Sequence, residues 1–77
     1  MVLLRRVGRR IVAFREQRGL SQLQLARRAR IARSTLRYVE DGTHAVSLLV
    51  LARIAHVLKV EVRTLLPTTT KTRRRRR

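Results

Sequence analysis

Apolar residues between Leu4 and Leu66 recur every three or four positions, and the pattern is broken at Gly19, Gly42 and Pro67 and restarted at Ser21 and Ser47. That spacing is the stripe of an amphipathic helix, and glycine, proline and hydroxyl side chains are its ordinary stop and start signals. No period-two alternation of useful length appears. The chain is therefore expected to be all-α, with no β structure and no repeat at a solenoid period.

Segment by segment, Leu4, Val7, Ile11 and Phe14 define a first helix over roughly residues 3 to 18, closed by Gly19. Ser21 with Gln24 three positions on forms a capping-box pattern, in which hydroxyl and amide each satisfy a free backbone N–H. A short second helix burying Leu25, Ala26 and Ala29 starts there. A turn at Arg30 to Ala32 leads to a third helix presenting Leu36 and Val39 until Gly42. Ser47 caps a fourth, whose Leu48, Leu51, Ala52, Ala55 and Leu58 keep the helical interval. A last short helix near Val62 to Leu66 ends at Pro67.

Whether these helices can bury a core is a question of size. With 77 residues and 44% apolar content there is enough for one domain, although a domain of this length buries only about 60% of its unfolded surface. That leaves room for a partner subunit to contribute to stability. Residues 67 to 77, "PTTTKTRRRRR", offer no apolar position to a core and are expected to form a disordered basic tail behind a domain at residues 1 to 66. There is no cysteine, which excludes thiolate zinc sites and disulfides and fits a reducing cytosol. Neither a signal peptide nor a membrane span of ~20 residues is expected.

Charge narrows the function classes. Twenty Lys and Arg against four acids give +16, so the chain should seek a polyanion. Six of those basic residues lie in the tail, which leaves fourteen basic and four acidic residues, or +10, on residues 1 to 66. The folded part is itself strongly basic. His44 and His56, twelve positions apart with Asp41 and Glu61 as the nearest carboxylates, make no metal site and read as a loop and a helix-surface histidine. No Ser/His/Asp set has a spacing that suggests catalysis, so neither an enzyme nor a cofactor is expected.

From Gln22 to Asp41 the chain runs twenty residues, with small Ala26 fifth and apolar residues fourth, eighth, tenth, fifteenth and eighteenth. This resembles the helix-turn-helix of the phage-repressor and Cro-like (XRE) family of DNA-binding proteins. The resemblance extends through "GRRIVAFREQRGLSQ", "STLRYVEDG" and "SLLVLARIAHVLKVEVRTLL", covering residues 8 to 66. It implies a compact five-helix, lambda-repressor-like fold in which Ala26 is small because two helices cross there and Ile31 plugs the turn. Five positions depart from the family pattern. Arg30 stands where the turn usually takes a glycine, so a left-handed arginine costing on the order of 1 kcal/mol is expected. Ala32 replaces the usual Ser or Thr cap, which leaves the third helix with less local support. Leu23, Leu49 and Val50 are apolar where family members are commonly polar.

In that docking mode the third helix enters the major groove. With Leu36 and Val39 facing inward, Arg33, Ser34, Arg37 and Tyr38 become the candidate base readers: Arg bonds guanine O6 and N7 together, Ser either base type, and Tyr a thymine methyl or a phosphate. The resemblance assigns Gln22, Thr35 and Thr43 to the phosphate backbone, and Arg28, with Arg27 and Arg30 beside it, is expected to attract phosphate without reading bases. It also implies an ion pair between Arg15 and Glu40 that ties the recognition helix to the scaffold. The competing reading of each charged residue is a solvated basic face.

Leu49, Val50, Val60, Val62, Leu65 and Leu66 exceed what one small core needs and are expected to form a dimer interface through the last two helices. The combined expectation is a cytoplasmic, nucleoid-associated transcriptional regulator. It would act as a repressor that binds a short palindromic operator on double-stranded DNA as a homodimer, with no membrane or small-molecule partner. The alternative is a sequence-nonspecific nucleic-acid binder, of the nucleoid or RNA type, driven by arginine charge.

Overall fold

In the computed structural model, which describes residues 2–66 (side chains from residue 3), the chain forms five helices. These are α1 (Val2–Gln17), α2 (Gln22–Ala29), α3 (Arg33–Asp41), α4 (Leu48–Leu58) and α5 (Val62–Leu65). Among the described residues there is no strand, and no helix is long and apolar enough to cross a membrane. The basic tail lies outside the described residues.

The start signals act as the spacing predicts. Ser21 Oγ accepts from the Gln24 backbone N–H at 3.1 Å while Gln24 Oε1 accepts from the Ser21 N–H at 2.8 Å, a complete capping box. Ser47 caps α4 through the Val50 N–H at 3.1 Å. Ala32 has no side-chain cap to give α3.

Four helices end in one kind of closure, a left-handed residue that turns the chain and lets N–H groups return to the last carbonyls. It falls at Gly19 (φ 67°), Arg30 (φ 58°), Gly42 (φ 70°) and Lys59 (φ 61°). Arg30 takes the strained conformation expected of it, and Lys59 takes the same one unannounced by the local sequence.

The core gathers one inward stripe from every helix. Val7 and Ile11 come from α1, Leu25, Ala26 and Ala29 from α2, and Leu36 and Val39 from α3. Leu51, Ile54, Ala55 and Leu58 join them from α4, with Leu65 from α5. Fully burying a Leu or Ile contributes about 1.5–3 kcal/mol, and Ile11, Leu25, Leu36, Ile54, Leu58 and Leu65 are all fully buried. Leu65 corrects an expectation: it faces its own core and is not available to a second subunit. Val50, Val60 and Val62 are half-buried against the same core, so of the six residues assigned to an interface only Leu49 and Leu66 are exposed, at 61% and 40%. Leu48, at 71%, joins them.

α1 packs on α3 at a crossing set by Gly8, because a Cβ there would collide with the carbonyl oxygens of Glu40 and Val39. Arginine holds the helix ends together. Arg10 Nη1 donates to the Thr64 carbonyl at 3.3 Å, Arg15 Nη1 to Leu20 at 3.0 Å, Arg18 Nε to Leu58 at 2.8 Å and Arg53 Nη1 to Arg30 at 3.1 Å. Thr64, Leu58 and Arg30 belong to the closing turns of α5, α4 and α2, where carbonyls lack intrahelical partners and the helix dipole is negative, and Leu20 lies in the connection after α1. Arg18 also lies over the Phe14 ring, 5.0 Å from its centroid. Part of the basic excess thus serves the fold itself.

Candidate nucleic-acid interface

α3 has nine residues and two faces. Leu36, Val39 and Glu40 are buried, so the helical period carries Arg33, Ser34, Arg37 and Tyr38 to the opposite face, where all four are exposed. None of the helices α2 to α5 has an acid in its first turn, and α3 also lacks a side-chain cap. Its leading N–H groups are therefore open to water or to an anion.

The buried side of α3 is fixed by an ion pair. Arg15 Nε donates to Glu40 Oε2 at 2.7 Å and Nη2 to Oε1 at 3.2 Å, with the two side chains only 13% and 3% exposed. Gln22 Nε2 donates to the same Oε1 at 2.8 Å. One carboxylate on α3 thereby collects donors from α1 and from the first residue of α2. Two-pronged Arg–carboxylate pairing restricts orientation as well as distance, so it sets how α3 stands relative to the scaffold.

Beside the exposed face of α3 lies an open hollow lined by Arg33, Ser34, Arg37 and Tyr38 and by Asp41, Thr43 and His44. The far wall is the loop from Gly42 to Ser47. Tyr38 and His44 meet there with ring centroids 4.5 Å apart and planes tilted by 44°, and Thr43 Oγ1 shares a hydrogen bond of 3.1 Å with His44 Nδ1. Asp41 is the one acid on this surface.

The structure thus brings the four candidate readers and Thr43 together on one surface. It separates others from them. Thr35 is half-buried and lines a smaller hollow with Val46 and Val50 on the inner side of the loop. Gln22 is half-buried with its amide engaged by Glu40. Arg28 lines two hollows between α2 and α4, one with Arg30, Arg53 and His56 and the other with Arg18 and Lys59, and neither shares a residue with the hollow on α3. Sequence reasoning gave His44 no part in the site. A ring two residues past a helix-ending glycine carries no spacing signal of its own, and only the loop's return to Tyr38 gives it one.

Comparison with known proteins adds a context. A helix-turn-helix family model matches residues 11–65. The immunity repressor protein of Bacillus phage phi105 is 41% identical over 56 residues, which is 73% of this chain and 39% of that repressor. The chain therefore spans well under half the length of this relative. The restriction-modification controller protein C.AhdI from Aeromonas hydrophila superposes with a TM-score of 0.79 at 36% identity, covering 82% of this chain and 96% of that one. SinR of Bacillus subtilis, a master regulator for biofilm formation solved in complex with DNA, superposes with a TM-score of 0.74 at 35% identity, covering 77% of this chain and 95% of that one.

Proposed function

The chain belongs to the helix-turn-helix family of the XRE type, and from that premise we propose that it is a sequence-specific DNA-binding transcriptional regulator. The observation that carries the reading is the exposed face of α3, where two arginines, a serine and a tyrosine stand together on a helix whose other face is locked to α1 and α2. Binding is the activity. α3 enters the major groove, Arg33 and Arg37 seek guanine edges, and Ser34 and Tyr38 complete the readout. Thr43 on that surface, with Gln22 and Thr35 off it, meets the phosphate backbone, while the wider basic charge supplies attraction that carries no sequence information.

A repressor acting by occlusion, working in the cytoplasm at the nucleoid, is the reading favoured by the similarity to a phage immunity repressor. It needs no cofactor and no small-molecule ligand. Residues 1 to 66 form the binding domain, and the basic residues 67 to 77 add charge to it. A homodimer on a short palindromic operator is favoured by the exposed Leu48, Leu49 and Leu66, whose apolar side chains stand in water on a single copy.

The experiment is a selection from random duplex DNA followed by sequencing of the bound pool. A shared motif with two-fold symmetry is expected. Tight binding with a flat sequence profile would replace this reading with a nonspecific, charge-driven nucleic-acid binder, which the net charge of +16 favours.

A further inference from the structure

We propose that His44 is a positioning residue for DNA readout, holding the Tyr38 ring in the single pose from which it meets the bases. The inference rests on the reading of α3 as the recognition helix.

Tyr38 is tied to the loop twice. Its backbone carbonyl accepts from the Gly42 N–H at 3.0 Å and from the Thr43 N–H at 3.3 Å, so the loop turns back at Tyr38 itself. Its ring then meets the His44 ring, 4.5 Å between centroids, in the tilted geometry that aromatic pairs favour. His44 is held in turn by Thr43 Oγ1, and in either tautomer that bond restrains rotation of the imidazole. Behind the loop, Gly42 is buried so closely against α1 that a Cβ there would lie 2.8 Å from the Arg5 backbone. The start of the loop is thereby packed against α1.

The two rings therefore form a partition. On one side is the hollow shared with Arg33, Ser34 and Arg37, and on the other the smaller apolar hollow reaching Val46 and Val50. Without the imidazole, the phenol would be free to swing toward the loop. Tyr38 is about half exposed and its side chain has no hydrogen-bond partner among the described residues, so no hydrogen bond fixes the ring. A base reader that must first be ordered loses discrimination, because immobilising it opposes binding.

The test uses the full chain and the site found by selection, with binding measured on that duplex, on its single-base variants and on random duplex. Tyr38→Ala identifies the base pair that Tyr38 reads. His44→Ala is expected to relax preference at that same base pair by roughly two- to tenfold, the range an aromatic pair supplies, with preference at every other base pair of the site retained and thermal melting close to that of the parent. His44→Phe, which keeps the ring and loses the Thr43 bond, should restore most of the preference. In the Tyr38→Ala background, His44→Ala should do nothing further at that position. Relaxation at a different base pair, uniform weakening on every duplex, or effects that add to those of Tyr38→Ala would overturn the proposal, since His44 would then contact DNA on its own account. A preference left intact by His44→Ala would overturn it as well. If the parent protein selects no motif at all, the regulator reading falls and this inference with it.

Discussion

Gly8 in the middle of α1 lies directly against the backbone of Glu40 at the end of α3, close enough that an added Cβ would overlap the Glu40 carbonyl oxygen and come within 2.6 Å of that of Val39. A glycine inside a helix is destabilising by about 1 kcal/mol relative to alanine. Here it permits the approach that lets Arg15, two turns further along α1, reach the Glu40 carboxylate.

Gly8→Ala is accordingly expected to destabilise the protein despite its better helix propensity, by about 1–3 kcal/mol, the usual range for overpacking. Urea unfolding checks it. An unchanged or raised midpoint would show that the helices separate without penalty.

Arg15→Ala removes the two-pronged partner of a nearly inaccessible carboxylate and should cost about 3 kcal/mol, the lower end of the range for breaking a buried pair, because Arg15 keeps some exposure to water. The double variant Arg15→Met with Glu40→Leu, which leaves no lone charge, should recover a large part of that loss. Equal stability of the single and double variants in chemical unfolding would argue against an uncompensated charge as the cause.

Arg30 adopts φ 58° and ψ 47° at the end of α2, a conformation that glycine reaches without steric strain. Arg30→Gly should raise stability by up to about 1 kcal/mol, the relief being reduced by the greater freedom of glycine in the unfolded chain. Calorimetric melting measures the change, and a lower melting temperature would mean that the arginine side chain contributes more than its strain removes.

Arg33 and Arg28 should fail differently. Arg33→Ala, on the exposed face of α3, is expected to lose about 1–3 kcal/mol on the preferred duplex and to relax one base pair, whereas Arg28→Ala should weaken all duplexes alike and lower the salt slope by about one unit. Titrations on preferred, single-variant and random duplexes at two salt concentrations give both quantities. Identical behaviour of the two variants would remove the distinction between reading and attraction.

The proposed dimer is best probed at the exposed apolar residues. Leu49→Asp combined with Leu66→Asp should shift the protein to monomer in sedimentation equilibrium while leaving its helical content intact, because neither side chain enters the core. A double variant that still sediments as the parent does would place the contact elsewhere. Leu65→Asp is unsuitable, since it would unfold the core that encloses it.

Much of the fold was legible in the order of residues. Helix starts at Ser21 and Ser47, stops at Gly19 and Gly42 and the inward faces of α1 to α3 follow from spacing and capping, which act over a few bonds and need no knowledge of the rest of the chain, whereas the left-handed Arg30 was implied by the family resemblance. The same periodicity put Arg33, Ser34, Arg37 and Tyr38 on one side of α3. The pairing of Arg15 with Glu40 was implied by family resemblance rather than by any local pattern. Spacing could not say which way Leu65 turns, because a four-residue helix is too short to show a face, and its burial depends on where α5 docks against α1 and α4. Nor could it assign the arginines. Arg10 meets a carbonyl 54 positions away and Arg18 one 40 positions away, while Arg28 meets none among the described residues, and nothing in the immediate neighbours of the three foretells the difference. Local sequence fixes backbone conformation through short-range sterics and hydrogen bonds. Which charged side chain caps a distant helix, which glycine receives a neighbouring backbone and which loop histidine meets Tyr38 are settled only when the helices cross, because those contacts join groups whose separation along the chain carries no periodic signal.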